Sequence, residues 1–403
     1  MVISYLIILG ILGELRKCHN DKSHYIIALF GLYCIVNVLD TLFLMEVFNL
    51  PFHLSDPRNW YFEALNISFH EIWTERLTYA FFYTIEWIYV KVYNDPLVVS
   101  LFVRLNNILL IIYTYLLLTK HNKKVGWIDC VMMLNPYILF ILCRNMRDIY
   151  ILFFITIIFL AFNYFENGNT VKKKYGYASI LALLTLRPIS LIPVGMVYVL
   201  QLYRKNKKLG VSLFLLTSVL VLLNFQQLFH IMLNQSVGVA IANGEDATDL
   251  EPLFHSTSFG LFIPLLKRYI VGAVAMFFTP HPLNYYDTWL QFKDNFGTFS
   301  IYYWFDNILI ILGALFSYIF VVPVIFNYCI SNNFWRSTAF QYIAFYFIIY
   351  VVGYLGITDI RNHHMVYFLC LALILNTKPS LSHKKISYLL VGIIFCALSI
   401  MNT

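Results

Sequence analysis

Apolar runs long enough to cross a membrane recur from one end of the chain to the other. A crossing helix needs about 20 mostly apolar residues, and residues 25–48 and 96–118 are two such runs. Inside a bilayer the backbone must satisfy its own hydrogen bonds, so these runs are expected to be helices. The sequence therefore predicts an all-α, polytopic integral membrane protein, a single domain over residues 1–403 with about 11–12 crossings.

Composition excludes most other classes of protein. Of the 403 residues, 60% are hydrophobic and only 12% are charged, so no separate soluble domain is expected. The net charge of +7 comes from 28 Lys and Arg against 21 Asp and Glu, and the basic residues collect in short loops, as cytoplasmic loops do. The charge therefore reports topology and does not indicate nucleic-acid binding. The seven cysteines fall in predicted spans or beside basic loops, so no disulfides are expected in the external loops.

The basic loops predict which segments face outward. The loops that contain the following lysines are predicted to be cytoplasmic: Lys17, Lys123, Lys173, Lys205 and Lys384. Large external loops are then expected at about 49–76, 233–302 and 357–364. Interfacial helices are predicted on the external side at 77–93 and 258–289. The segment 175–203 has basic loops at both ends, so we expect a short helical hairpin hinged at Arg187-Pro188.

One charged turn interrupts two apolar runs between residues 134 and 162. It contains Arg144, Arg147 and Asp148. If the second helix begins near Arg144, then Arg144 and Asp148 share a face as an ion pair, and Arg147 is available to hold an anion. The alternative is an ordinary ion pair at a helix end.

Further arginines are predicted at external helix ends. Arginine binds phosphate well because its planar guanidinium group stays charged and can hydrogen-bond two oxygens at once. The residues predicted to form the substrate site, together with Arg147, are Arg58, Arg144, Asp148, Arg187, Arg268 and Arg361. The alternative for Arg187 is an arginine that snorkels at a proline kink.

Motifs of several other chemistries are missing from the sequence. It has no phosphate-binding P-loop, H-E-x-x-H pair, C-x-x-C pair or G-x-S-x-G elbow. The adjacent pair His363-His364 would diverge by about 100° on a helix, which favours a surface or acid/base role over a metal site. No metal and no cofactor are predicted.

The sequence resembles the EpsG and Wzy group of polysaccharide polymerases. The resemblance lies in the order of segments: a basic loop after the first helix, SDPRNWYFEA in the first external loop, ERLTYAFF at the start of an aromatic helix, and an arginine-rich turn before a long apolar helix. The segments LRPISLIP and KRYIVGAVAMFFTPHPLNY also resemble parts of GT-C membrane glycosyltransferases.

The resemblance implies an enzyme of the bacterial inner membrane that polymerises O-antigen or capsule repeat units carried on undecaprenyl pyrophosphate. Asp56 or His363 would be the base, and Arg147 would stabilise the departing pyrophosphate. Membrane lipid and a chain-length regulator protein are the further partners it implies, and no nucleic acid. Two alternatives remain: a GT-C transferase that uses a sugar on polyprenyl monophosphate, and a polysaccharide flippase or transporter.

Overall fold

The computed structural model describes residues 2–17, 20–53, 56–120, 124–165, 171–213, 301–331, 337–353, 360–377 and 381–401, together with 215, 269–270, 273–274 and 278. Every element within these ranges is helical, which confirms the predicted all-α class. The helices, numbered in chain order, are α1 (Val2–Leu15), α2 (Asn20–Phe48), α3 (Asp56–Asn66), α4 (Phe69–Glu75), α5 (Ala80–Tyr93), α6 (Pro96–Leu118), α7 (Trp127–Met133), α8 (Pro136–Leu142), α9 (Asp148–Ala161), α10 (Lys173–Leu184), α11 (Ile192–Lys205), α12 (Ile301–Phe316), α13 (Val322–Ser331), α14 (Thr338–Gly353), α15 (Ile360–Thr377) and α16 (Lys384–Met401).

Within the described residues, three stretches of helix are long and apolar enough to cross a membrane. They are Asn20–Glu46, Pro96–Leu118 and Ile308–Ser331. Shorter apolar helices accompany them, among them Asp148–Ala161 and Thr338–Val352. These helices fit a helical membrane protein, whereas the number of crossings and the side that each loop faces stay predictions.

Helix α6 lies at the centre of the bundle. Its start is fixed by Asp95, whose carboxylate accepts hydrogen bonds from the backbone N–H groups of Leu97 (2.8 Å) and Val98 (3.2 Å), while Pro96 occupies the first turn, where its missing donor costs nothing. Helices α1, α2, α5 and α9 pack around it, and most of its residues are buried. This position makes α6 the support for the segments that surround it.

Two long apolar segments are less regular than single helices. The apolar length of residues 126–143 predicts one span, but these residues form α7 and α8, because Asn135 caps α8 through its Oδ1 and Pro136 cannot continue the preceding helix. Between α12 and α13 the chain forms a π turn at Ser317–Val321, immediately before Pro323. Such a wide turn is one way for a helix to absorb a proline.

The predicted hinge at Arg187-Pro188 is present as a break between two short helices. Helix α10 ends at Leu184, a 3₁₀ turn covers Pro188–Leu191, and α11 then begins at Ile192. Arg187 itself is extended, with φ −163° and ψ 82°, as expected for the residue before a proline. Helix α10 packs on α9 and α11 packs on α14, so the two arms lie against different neighbours.

The first predicted external loop, 49–76, is largely helical. It contains α3 and α4, and α4 begins with a capping box in which Ser68 and Glu71 exchange hydrogen bonds. Helix α5, in the predicted interfacial segment 77–93, packs on α3 and is mostly buried. Of the other two predicted loops, 233–302 lies almost wholly outside the described residues, and α15 begins inside 357–364.

Candidate functional site

The charged turn between α8 and α9 is held to α6 through its backbone. The side-chain amide of Asn107, on α6, donates hydrogen bonds to the carbonyl oxygens of Arg144 and Met146, each at 3.2 Å. Asn145 in the middle of the turn is buried and bonds to Ser100 of α6. The turn that carries the predicted anion-binding residues is therefore held to α6 by hydrogen bonds from buried amides.

A buried ion-pair network lies behind this turn. Arg104 of α6 donates to the Asp40 carboxylate through Nη1 (2.6 Å), to Asn145 Oδ1 through Nε (3.1 Å) and to the Pro51 carbonyl through Nη2 (3.1 Å). His53 Nε2 lies 3.0 Å from the same Asp40 oxygen. Buried charges are costly unless they are paired and hydrogen-bonded, and this arrangement meets both conditions. We assign Arg104 a positioning role, because it connects α2, α6 and the turn.

Arg147 bridges three segments of the chain. Its Nη1 donates to the carbonyl oxygen of Leu186, which precedes the hinge, and to that of Thr78 at 3.3 Å. Its guanidinium carbon lies 3.8 Å from the ring centroid of Tyr79. All hydrogen bonds of Arg147 among the described residues leave from Nη1, and it forms no salt bridge there. The Nε–Nη2 edge, which can hold two oxygens of one phosphate, is therefore open.

Arg187 approaches the same turn from the hinge. Its Nη1 lies 3.4 Å from Asp148 Oδ1, and its guanidinium carbon lies 4.8 Å from the ring centroid of Tyr350 on α14. The side chains of this ion pair are 12% and 4% exposed for Arg187 and Asp148. Two arginines from distant parts of the sequence thus converge at the start of α9, beside one carboxylate.

A buried hydroxyl near the hinge has no partner in the described part of the chain. Ser190 is fully buried one 3₁₀ turn after Arg187, and its Oγ makes no hydrogen bond, although its carbonyl accepts one from Tyr342 at 3.0 Å. An unsatisfied buried hydroxyl costs free energy. Among the described residues it is therefore a hydrogen-bonding group without a partner, three residues after Arg187.

The structure corrects the expected pairing within the turn. Asp148 pairs with Arg187 and not with Arg144, whose guanidinium carbon instead lies 4.0 Å from the ring centroid of Phe140. The reason is that α9 begins at Asp148, so Arg144 precedes the helix and the two side chains do not share a helix face.

The other predicted site residues are only partly described. Arg58 lies on α3, with its guanidinium carbon 5.6 Å from the ring of Phe62 on the same helix. Asp56 begins α3, and Arg361 and His363 lie in the first turn of α15, but the side chains of these three fall outside the described residues. Arg268 also lies outside them. The structure therefore brings together Arg147, Asp148 and Arg187 from the predicted set.

Comparison with known proteins came out negative. None of the protein-family models, curated proteins or solved structures compared with this chain matches it. The site must therefore be interpreted from its own chemistry. Among the described residues, no group of three or more His, Cys, Asp or Glu side chains is placed to hold a metal ion.

Two of the residues that support the site were not predicted, although the sequence carried a signal for them. Asp40 lies in the apolar run of α2 and Arg104 in that of α6. A charged residue inside an apolar run is costly and is expected to find a partner of opposite charge. His53 gave no such signal, because it lies in a polar segment.

Proposed function

We propose that the protein joins lipid-linked oligosaccharide repeat units at the periplasmic face of a bacterial inner membrane, as an O-antigen or capsule polymerase of the Wzy and EpsG type. The observation that carries the proposal is that the Nε–Nη2 edge of Arg147 has no partner among the described residues, while a second arginine, Arg187, pairs with Asp148 at the start of α9. A diphosphate that carries a lipid tail is the kind of ligand that two converging arginines and a free hydroxyl fit.

The reaction transfers a growing chain to a new unit. A sugar hydroxyl of the acceptor attacks the anomeric carbon of the donor, the bond between that carbon and the pyrophosphate oxygen breaks, and undecaprenyl pyrophosphate leaves. Arg147 and Arg187 would stabilise the charge that develops on the leaving group, since fixed cations are most effective where little water reorganises. Asp56 or His363 would accept the hydroxyl proton.

An assay with purified protein and lipid-linked repeat units tests the proposal. A ladder of chain lengths is the expected product. Addition of one sugar from a polyprenyl monophosphate donor would replace the proposal with a GT-C transferase, and transport of the units without reaction would replace it with a flippase.

The variant Arg147→Lys tests the role of the open edge. Lysine keeps the charge but lacks the Nε–Nη2 edge that can bind two oxygens at once. The rate of polymerisation should therefore fall by about 30- to 1000-fold, which corresponds to about 2–4 kcal/mol of transition-state stabilisation. Arg16→Lys, in the exposed turn after α1, is the matched control and should retain the rate. Full-rate ladders from Arg147→Lys would show that the pyrophosphate is not held there.

A further inference from the structure

A pocket of about 470 Å³ opens at the surface between α3 and α4. Small-molecule sites commonly have volumes of about 300–1,000 Å³. Each of the two helices presents one face to the pocket, because residues three or four apart lie on the same side of a helix. The lining includes Asn59, Phe62, Glu63 and Asn66 of α3, and Glu71 and Glu75 of α4. Other faces of these helices pack inward, with Ala64 and Ile72 fully buried, and this packing holds the two walls of the pocket in place.

Several polar groups of the lining are available to a ligand. Asn59 and Glu75 are exposed, and neither side chain takes part in a hydrogen bond or ion pair among the described residues. Glu63 accepts a hydrogen bond from Tyr83 and lies 3.6 Å from Arg76 Nη2, but both contacts use its Oε2, so Oε1 has no partner within the same ranges. Amides and carboxylates placed in this way can donate to and accept from hydroxyl groups.

Phe62 adds an apolar surface to the same pocket. It is 39% exposed, and the guanidinium carbon of Arg58 lies 5.6 Å from its ring centroid. A sugar ring has matching surfaces, since its hydroxyls project from the edge and its C–H groups form an apolar face that can pack on an aromatic ring. An aromatic ring beside amides and carboxylates therefore fits a saccharide better than it fits an apolar molecule.

The charge of the pocket selects against acidic ligands. The carboxylates of Glu63, Glu71 and Glu75 line it together with one guanidinium, that of Arg76. Hydrogen bonds from Ser68 lower the pKa of Glu71, so this carboxyl is ionised at neutral pH. An excess of negative charge repels phosphates and uronic acids. A metal ion does not account for the carboxylates, because no group of three or more His, Cys, Asp or Glu side chains in the described ranges is placed to hold one.

The pocket is a direct neighbour of the Arg147 site. The Arg147 guanidinium carbon lies 3.8 Å from the ring centroid of Tyr79, whose ring centroid is in turn 6.3 Å from that of Tyr83. The Tyr83 hydroxyl donates to Glu63 in the lining of the pocket. The 3₁₀ turn Leu77–Tyr79 directly follows Arg76, and the carbonyl oxygen of Thr78 in this turn accepts from Arg147. One 3₁₀ turn and one pair of tyrosines therefore separate the two sites.

We propose that this pocket is a saccharide-binding subsite that holds a neutral sugar of the substrate. The sugar packs on Phe62 and forms hydrogen bonds with Asn59, Glu63 and Glu75. That the sugar belongs to a lipid-linked repeat unit rests on the proposed function, whereas the preference for a neutral saccharide follows from the pocket itself.

Calorimetric titration of the full-length protein, in a detergent without a sugar headgroup, tests the subsite. The probe is the free oligosaccharide that mild acid releases from the lipid-linked units of the host cell. Phe62→Leu and Glu75→Gln should each weaken its binding by about 5- to 50-fold. The matched controls are Phe69→Leu, an exposed phenylalanine of α4 outside the lining, and Glu46→Gln, an exposed carboxylate of α2; both should bind like the wild type.

Three outcomes of the titration would overturn the proposal. The first is a wild-type protein that does not bind the oligosaccharide, or pocket variants that bind it as tightly as the wild type. The second is displacement of the oligosaccharide by excess glucuronate or inorganic phosphate, which the negative pocket should exclude. The third is binding of Ca²⁺ alone that is lost in Glu75→Gln while the oligosaccharide does not bind, which would make the pocket a cation site.

Kinetics with lipid-linked units separates this proposal from the proposed function. If wild-type protein makes ladders, Phe62→Leu and Glu75→Gln should raise KM by about 5- to 50-fold and leave kcat within about 2-fold, because they act on binding of the sugar. Ladders with an unchanged KM in both variants would overturn the subsite and leave the polymerase intact. A wild-type protein that makes no ladder would overturn the polymerase, and the titration would then decide the subsite alone.

Discussion

Removing the Asp148 carboxylate tests which arginine it pairs with. At 3.4 Å from Arg187 Nη1, and with an effective dielectric constant of about 20, the attraction is about 5 kcal/mol. Loss of hydration by both groups offsets part of this attraction. Taking away one partner of a buried pair nevertheless costs about 3–5 kcal/mol, because the other charge is left behind without compensation. Asp148→Ala and Arg187→Ala should therefore each lower the free energy of unfolding strongly.

A double-mutant cycle separates the pair from its surroundings. We expect the double variant Asp148→Ala, Arg187→Ala to be less destabilised than the sum of the single changes, with a coupling of about 1–3 kcal/mol. Denaturant unfolding in detergent, followed by tryptophan fluorescence, measures it.

The matched control for this cycle is the pair Arg144 and Asp148. These residues form no ion pair with one another, since the salt bridge of Asp148 is with Arg187 and Arg144 stacks on Phe140. The effects of Arg144→Ala and Asp148→Ala should add to within about 0.5 kcal/mol. Equal coupling in the two cycles, or additive effects for Arg187, would refute the pairing.

Three further predictions concern neighbouring groups. Arg104→Met leaves Asp40 without its cation, so the yield of folded protein should fall sharply, as measured by size-exclusion chromatography. Ser190→Ala removes a buried hydroxyl with no partner in the described part of the chain, so the melting temperature should stay the same or rise, while a pyrophosphate lipid binds about 2- to 10-fold more weakly in a titration. Hydrogen bonds from the Ser68 backbone and hydroxyl lower the pKa of Glu71. They therefore stabilise the fold at pH values above the ordinary pKa of a glutamate, and this stabilisation is lost as the pH falls through the lowered pKa. Ser68→Ala should raise the pKa of Glu71, as measured by NMR titration.

Much of the fold follows from local sequence patterns. Apolar run length predicted the long helices α2 and α6, and the proline after Arg187 predicted the break between α10 and α11, because both effects depend on local sequence alone. The prediction of one span over residues 126–143 is wrong, although the same proline rule applies at Asn135-Pro136. The apolar run around this proline is long enough for one span, so run length alone does not indicate the break.

The geometry of the site was less predictable. The sequence places Arg144 and Asp148 four residues apart, which suggests a pair on one helix, but that helix begins only at Asp148, and Arg144 lies in the turn that Asn107 of α6 contacts. Asp148 pairs instead with Arg187, 39 residues further along the chain. Contacts over such separations depend on how the helices pack, and no local pattern reports them.

The two arms beside Arg187 have a consequence for the surrounding lipid. With 12 residues in α10 and 14 in α11, the arms are about 18 and 21 Å long at 1.5 Å per residue. A bilayer has a hydrocarbon thickness of about 30 Å, so lipids around arms that enter it must shorten or tilt. The depth of the Arg187 hinge in the bilayer would then depend on acyl-chain length as well as on the protein. Lipid headgroups reach the level of Arg187 only if the bilayer thins around the arms, and a membrane of long acyl chains would resist this thinning.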